Sequence, residues 1–277
     1  MNWIQSAMLG FVGGICGPMP LSVDAHRALL LRFFGIPSES VMFRLAVHTA
    51  SLIIMLSLGS LELRRLMRTA RQLRTPARRR TSHPSLNNAG TLRLLRFAVV
   101  LTILGQLLSG LLAGIGQKLY LLAAALLLSG LLQWLSTRMR TANKDGRHMS
   151  AADGAIIGVG ALAAAVPGIS LVGSCACIAS MLGASRSYAL RIAWTLAAVR
   201  HATAVVTELI ALAQTGWAVE LSALLSAGIG AVAAAVGTYA AIQLIRSMSR
   251  PGSISLGGFC YYNWGQALLC ILLFLLV

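Results

Sequence analysis

Acidic residues are scarce: the 277 residues hold seven Asp and Glu against 23 Lys and Arg, and charged residues of both signs together make up only 11%. So little charge excludes a soluble globular domain, where about a quarter of residues are charged. The cysteines are five, and the one closely spaced set, Cys175-x-Cys177, has neither a second pair nor nearby histidines. That pattern argues against a metal site and for small membrane-helix residues. The N-terminus has no basic stretch before its first apolar run and no small-residue cleavage site, so it does not read as a cleaved signal peptide.

What is abundant is apolar sequence, 57% of the chain, with a mean hydropathy of +0.78. The composition is that of an integral membrane protein, because a bilayer-crossing helix needs about 20 mostly apolar residues and several such runs are present. The formal charge of +16 could suggest nucleic acid. The basic residues, however, sit at the ends of apolar runs and between them, where they orient a membrane protein and meet anionic lipid. No nucleic-acid partner is expected.

Trp3 to Cys16 is apolar but short, and is interrupted by Gly13-Gly14 and then by Pro18 and Pro20. It reads as the first half of a re-entrant pair, with Leu21 to Phe34 as the return. Val41 to Leu61 is long enough to cross. A loop from Arg64 to Arg96 then carries Arg64, Arg65, Arg68, Arg71, Arg74, Arg78, Arg79, Arg80, Arg93 and Arg96 without an acid, and by the positive-inside rule it is cytoplasmic. Phe97 to Gly116 and Leu119 to Leu135 are the next spans, joined by a very short turn, and lead to Arg138, Arg140, Lys144 and Arg147. Ala151 to Val166 is again short and ends at Pro167-Gly168, with Ile169 to Gly183 as its return. Ala193 to Leu212, Leu221 to Ile245 and Leu256 to Val277 complete the chain, and Arg186, Arg191, Arg246 and Arg250 fall on the basic side.

The expected fold is therefore an all-α integral membrane protein, an inverted repeat with two re-entrant helix pairs and about six transmembrane helices. One polytopic domain covers residues 1–277, with repeat one about 1–115, repeat two about 119–245 and the last span 256–277. Weak sequence agreement supports the repeat: Pro20-Leu-Ser22, Gly35-Ile-Pro-Ser38 and Arg44 parallel Pro167-Gly-Ile-Ser170, Gly183-Ala-Ser185 and Arg191. Such repeats with paired interrupted helices place a site near the bilayer midplane.

Two helix breaks that meet would turn backbone N–H groups and helix N-termini toward one cavity, which suits an anion. Ser22, Asp24 and His26 are the polar candidates at the first break, Gly168, Ser170 and Ser174 at the second. A carboxylate holding a histidine tautomer would serve acid/base or nucleophilic chemistry at phosphorus, so Asp24, His26 and Ser22 are the catalytic candidates. The alternative for Asp24 is a pair with Arg27 or Arg32. Arg200 and His201 lie inside a span, where ionisable groups are costly and suggest function. Arg200 either offers a cation to a phosphate or pairs with Glu208, and His48 reads as a hydrogen-bonded packing residue.

With these features in order, the chain resembles the bacterial undecaprenyl-diphosphate phosphatases of the bacitracin-resistance type. "LGFVGGICGPMPLSVDAHRALL" (9–30) resembles the family's first signature and "MFRLAVHTASLIIML" (42–56) its following span. "VPGISLVGSCACIASMLGASRSYALRIAWTLAAV" (166–199) resembles the second signature, and "YYNWGQALL" the last span. The resemblance implies a hydrolase of the polyprenyl diphosphate carrier of cell-wall synthesis, in the bacterial inner membrane. It also implies a polyprenyl phosphate or diphosphate lipid as partner and a divalent cation, Mg or Ca, as cofactor; a homodimer is expected too, and the charge of the Arg64–Arg96 loop itself points to anionic lipid there.

Carried over position by position, the family's two motif glutamates fall on Gly13 and Gly17, its second serine on Val23 and its threonine on Asp24. The proline, first serine and histidine are kept as Pro20, Ser22 and His26. In the second signature Ser170 is kept, but the phosphate-binding arginine falls on Leu171, the next serine on Val172, and a later proline on Arg200. The carboxylates that would hold the cation are absent, so no metal ligand is assigned. Ser170, Gly168, Ser174 and Arg200 are the expected phosphate-binding set. Because losing one electrostatic donor costs about a hundredfold in rate, two readings stand: a divergent phosphatase, or a non-enzymatic transporter or binding protein for the same lipid.

Overall fold

The computed structural model describes residues 1–75, 85–139, 143–215, 220–248 and 258–276. Arg78, Arg79, Arg80, Arg140 and Arg250, and the outer bounds Leu256 and Val277 of the last expected span, lie outside the described residues. Eleven α-helices and no β-strand occur among the described residues. They are α1 (Trp3–Cys16), α2 (Val23–Phe33), α3 (Val41–Leu58), α4 (Ser60–Arg74), α5 (Leu86–Gln117), α6 (Leu119–Arg138), α7 (Ala151–Ala163), α8 (Leu171–Met181), α9 (Arg186–Gln214), α10 (Leu221–Met248) and α11 (Phe259–Leu276).

Six of these, α3, α5, α6, α9, α10 and α11, are long and apolar enough to cross a membrane. The all-α membrane architecture read from the sequence is thus present. Helices α1, α2, α7 and α8 have 14, 11, 13 and 11 residues, and at 1.5 Å per residue none matches a ~30 Å hydrocarbon layer. They pack as two pairs, α1 with α2 and α7 with α8. The short turn between α5 and α6 is the single residue Lys118.

The helices begin where the sequence offers a capping side chain. Asn2 and Gln5 form a capping box on α1, Ser150 and Asp153 one on α7, and Ser22, Ser40 and Ser170 each accept a backbone N–H at the start of α2, α3 and α8. A side-chain oxygen there satisfies one of the orphan donors of the first turn. The returning segments accordingly start at Val23 and Leu171, each two residues later than hydropathy alone suggests.

The Arg64–Arg96 stretch needs correction: it is not one loop. Residues 60–74 form α4, and α5 already starts at Leu86. Arginine is a good helix former, and α4 buries Leu66 and Thr69 while leaving Arg64, Arg65, Arg68 and Arg71 exposed. Similarly α9 starts at Arg186 rather than Ala193, because backbone hydrogen bonds continue past the point where hydropathy falls.

Close approach of small residues joins the two halves. On α1, a Cβ at Gly10 or Gly14 would run into the backbone of Gly230 or Ala234 on α10. On α7, Gly154 and Gly158 meet the backbone of Leu94 and Ala98 on α5 in the same four-residue spacing. Without a hydrophobic drive between helices in lipid, such dispersion contacts are what hold membrane helices together. The first helix of each short pair therefore packs on a long helix from the other half of the chain, while α3 packs on α9 and α6 on α11.

Candidate functional site

The breaks after α1 and α7 meet. Ser22 Oγ accepts the Ala25 N–H at 3.3 Å in its own helix and the Gly168 N–H at 3.0 Å across the gap. Gly168 has φ +109° and lies so close to α6 that a Cβ would stand 2.5 Å from that of Ala125. The Ser170 N–H donates to Ser129 Oγ at 3.3 Å, and Ser170 Oγ accepts from the Gly173 N–H at 3.0 Å. Other side chains tie down the first break: Gln133 Nε2 and Trp194 Nε1 donate to the carbonyls of Pro20 and Pro18 at 2.8 and 2.9 Å. The expected phosphate cradle at the second break is thus occupied by the protein itself. Gly168, Ser170 and Ser174 are buried; the N–H groups of Gly168 and Ser170 go to the hydroxyls of Ser22, the cap of α2, and Ser129 of α6, while Ser174 Oγ has no hydrogen-bond partner among the described residues.

Beside the breaks lies a polar cavity of about 350 Å³, between α2, the start of α3, the end of α5, the second break and the end of α9. Three ion pairs line it. Arg200 Nη2 meets Asp24 Oδ2 at 2.6 Å, Arg44 grips both oxygens of Glu208 at 2.6 and 2.8 Å, and Arg27 pairs with the buried Glu39. Arg200 also donates to Gln106 Oε1 at 3.0 Å and to the Ala164 carbonyl at 3.2 Å, so it spans from α2 to the second break. The three cations and three anions cancel.

Next to the cavity, His48 of α3 and His201 of α9 stand with their Nδ1 atoms 3.0 Å apart. Gly13 and Gly17 face this pair: both line small voids shared with His48 and His201, and a Cβ at Gly17 would lie 3.2 Å from His201 Nε2. The imidazoles take up the space next to the two glycines at which the sequence lacks carboxylates.

The predicted residues divide. Asp24 and Arg200 come together in the cavity, which resolves both alternatives weighed for them: Asp24 pairs with neither Arg27 nor Arg32, and Arg200 does not pair with Glu208. His26 turns away from Asp24. Its Nδ1 is 2.7 Å from the Ser22 carbonyl, which can only accept, so Nδ1 carries the proton and Nε2 accepts from the Tyr262 hydroxyl at 2.8 Å. The ring stacks on Tyr262 at 5.6 Å. Sequence reasoning missed Arg27, Glu39, Arg44 and Gln106. The signal for Arg44 was its place inside a span, where a charge needs a partner.

No group of three metal-ligating side chains occurs among the described residues. Asp24, Glu39 and Glu208 are each engaged by an arginine, which does not fit a divalent cation.

The family model described as "Bacitracin resistance protein BacA" matches residues 6–269. An undecaprenyl-diphosphatase of Halothermothrix orenii is 26% identical over 273 residues, 99% of this chain and 98% of its own length. One from Gemmatimonas aurantiaca is 27% identical over 261 residues, covering 94% and 93% of the two chains. Undecaprenyl-diphosphatase 1 of Halalkalibacterium halodurans is 28% identical over 198 residues, 70% of this chain and 69% of that protein.

Proposed function

We propose that this chain, which belongs to the bacitracin resistance protein BacA family, acts on a polyprenyl diphosphate lipid, with the headgroup in the polar cavity and the prenyl chain in the bilayer. The observation that carries this reading is the convergence of Arg27, Arg44 and Arg200 on a cavity at the meeting point of two helix breaks. A diphosphate offers each arginine a stronger anionic partner than its carboxylate, in fork geometry. When phosphate takes Arg200, Asp24 is released to accept a proton from a water attacking the terminal phosphorus. The new P–O bond forms as the bridging P–O bond breaks, leaving inorganic phosphate and polyprenyl monophosphate. Asp24 is the catalytic residue in this scheme. Ser22, His26, Gly168, Ser170 and Ser174 are positioning residues that fix the two breaks.

The pairing of α1 on α10 and α7 on α5 supports an inverted repeat, with each short pair re-entrant. The basic residues of α4, of the start of α5 and of the ends of α6 and α10 support a cytoplasmic face there in the bacterial inner membrane, touching anionic lipid. The polar cavity then lies toward the opposite face.

A second reading is carriage or binding of the lipid without hydrolysis. It is favoured by the exact charge balance of the cavity, since all three arginines already have a carboxylate. One assay decides. Purified protein in nanodiscs is given polyprenyl diphosphate, with and without EDTA, and released phosphate and bound lipid are both measured. The phosphatase reading expects release that falls at least a hundredfold in Asp24→Asn with binding retained. Binding without release supports the carrier reading. Binding unchanged in Arg44→Gln and Arg200→Gln refutes the cavity as the headgroup site.

A further inference from the structure

We infer that the opposite, basic end of the protein holds a second lipid site: an apolar slot for a hydrocarbon chain, with Arg191 and Arg246 placed to take a phosphomonoester headgroup. The slot encloses about 320 Å³, within the range of ligand pockets, and its walls include Met55 of α3, Leu66 of α4, Trp194 of α9 and Ile242 of α10. It lies at the far end of α3 and α9 from the polar cavity: Met55 and Trp194 line the slot, Arg44 and Glu208 the cavity.

The charged groups of the slot differ from those of the cavity. Arg191 is 42% exposed in its side chain and stands 3.8 Å from Glu62, a loose pair. Arg246, also exposed, donates to the Leu58 carbonyl at 3.1 Å, an acceptor that leaves its charge uncancelled. Two arginines face one glutamate, and α4, which lends Glu62, Leu63 and Leu66 to the slot, also carries exposed Arg64, Arg65 and Arg68. An apolar slot closed off by excess positive charge matches a bilayer lipid whose phosphate carries two negative charges. Guanidinium forks suit such a headgroup better than a zwitterionic one.

Trp194 supplies a readout, because its ring is a wall of the slot while its Nε1 holds the Pro18 carbonyl. Full-length protein in phosphatidylcholine nanodiscs is titrated with chain-brominated phosphatidic acid, and the part of the quenching that Trp194→Phe removes is followed. Saturable quenching by brominated phosphatidic acid, and not by brominated phosphatidylcholine at equal mole fraction, is expected. The midpoint rises about thirtyfold in Arg191→Gln/Arg246→Gln, from two arginine contacts to an anionic headgroup. Glu62→Gln removes the competing carboxylate without emptying the slot and should tighten binding severalfold. Equal quenching by the two lipids, or an unchanged midpoint in both the double variant and Glu62→Gln, overturns the site. The readout is lipid binding and not turnover, so its failure is distinguishable from failure of the phosphatase reading.

Discussion

The two helix breaks solve one backbone problem in opposite surroundings. Both end a short helix in a Pro- and Gly-containing turn and restart on a serine cap, Ser22 or Ser170. Helix α2 then buries only Ala25 and presents Asp24 and Arg27 to the cavity, whereas α8 buries eight of its eleven residues, Leu171 and Val172 among them. The charged side chains therefore lie on one side of the meeting point. The second break supplies rigidity and a carbonyl for Arg200, and the first supplies the charged groups.

The comparison breaks hardest at the glycines. Gly168→Ala must place a side chain at φ +109° and against Ala125, so it should cost about 3 kcal/mol, seen as a lowered Tm in detergent. Gly17→Ala at the first break has helical φ −55° and asks the His201 ring to give by only a few tenths of an ångström, so its Tm should fall by less than half as much. Equal losses would show that the breaks are equally constrained.

A smaller difference separates the serines. Ser22→Ala strands the N–H groups of Ala25 and Gly168, for about 2 kcal/mol, while Ser170→Ala strands that of Gly173 alone, for about 1 kcal/mol. Denaturant unfolding of the two variants checks the order. An effect as modest is expected in the cavity. A double-mutant cycle with Asp24→Asn and Arg200→Gln should give a coupling of about 1 kcal/mol, modest because the pair is partly solvated. A coupling near zero would leave Arg200 held by Gln106 and the Ala164 carbonyl alone.

Much of the fold was legible because it is written locally. The bounds of α1 follow from one apolar run between Asn2 and the Gly-Pro turn, and the turn at Lys118 from two apolar runs with only Gln117 and Lys118 between them. Helix α4 and the first turns of α5 and α9 were not legible by hydropathy, since their arginines remain helical while leaving the apolar layer. The site was legible in its parts and not in its pairing. Asp24 and Arg200 were each visible as an anomaly, but they are 176 residues apart, as Arg44 and Glu208 are 164 apart and His48 and His201 153 apart.

The sequence by itself determined that this chain is an all-helical membrane protein with two interrupted short helix pairs. Hydropathy, caps and turn residues act over a few neighbours and need no tertiary partner. Only the tertiary structure decided that the second break is sealed by Ser22 and Ser129, and that Arg200 of α9 reaches Asp24 and the Ala164 carbonyl. A buried charge is stable only where the fold brings a counter-charge to it, and that depends on how α2, α3 and α9 pack together.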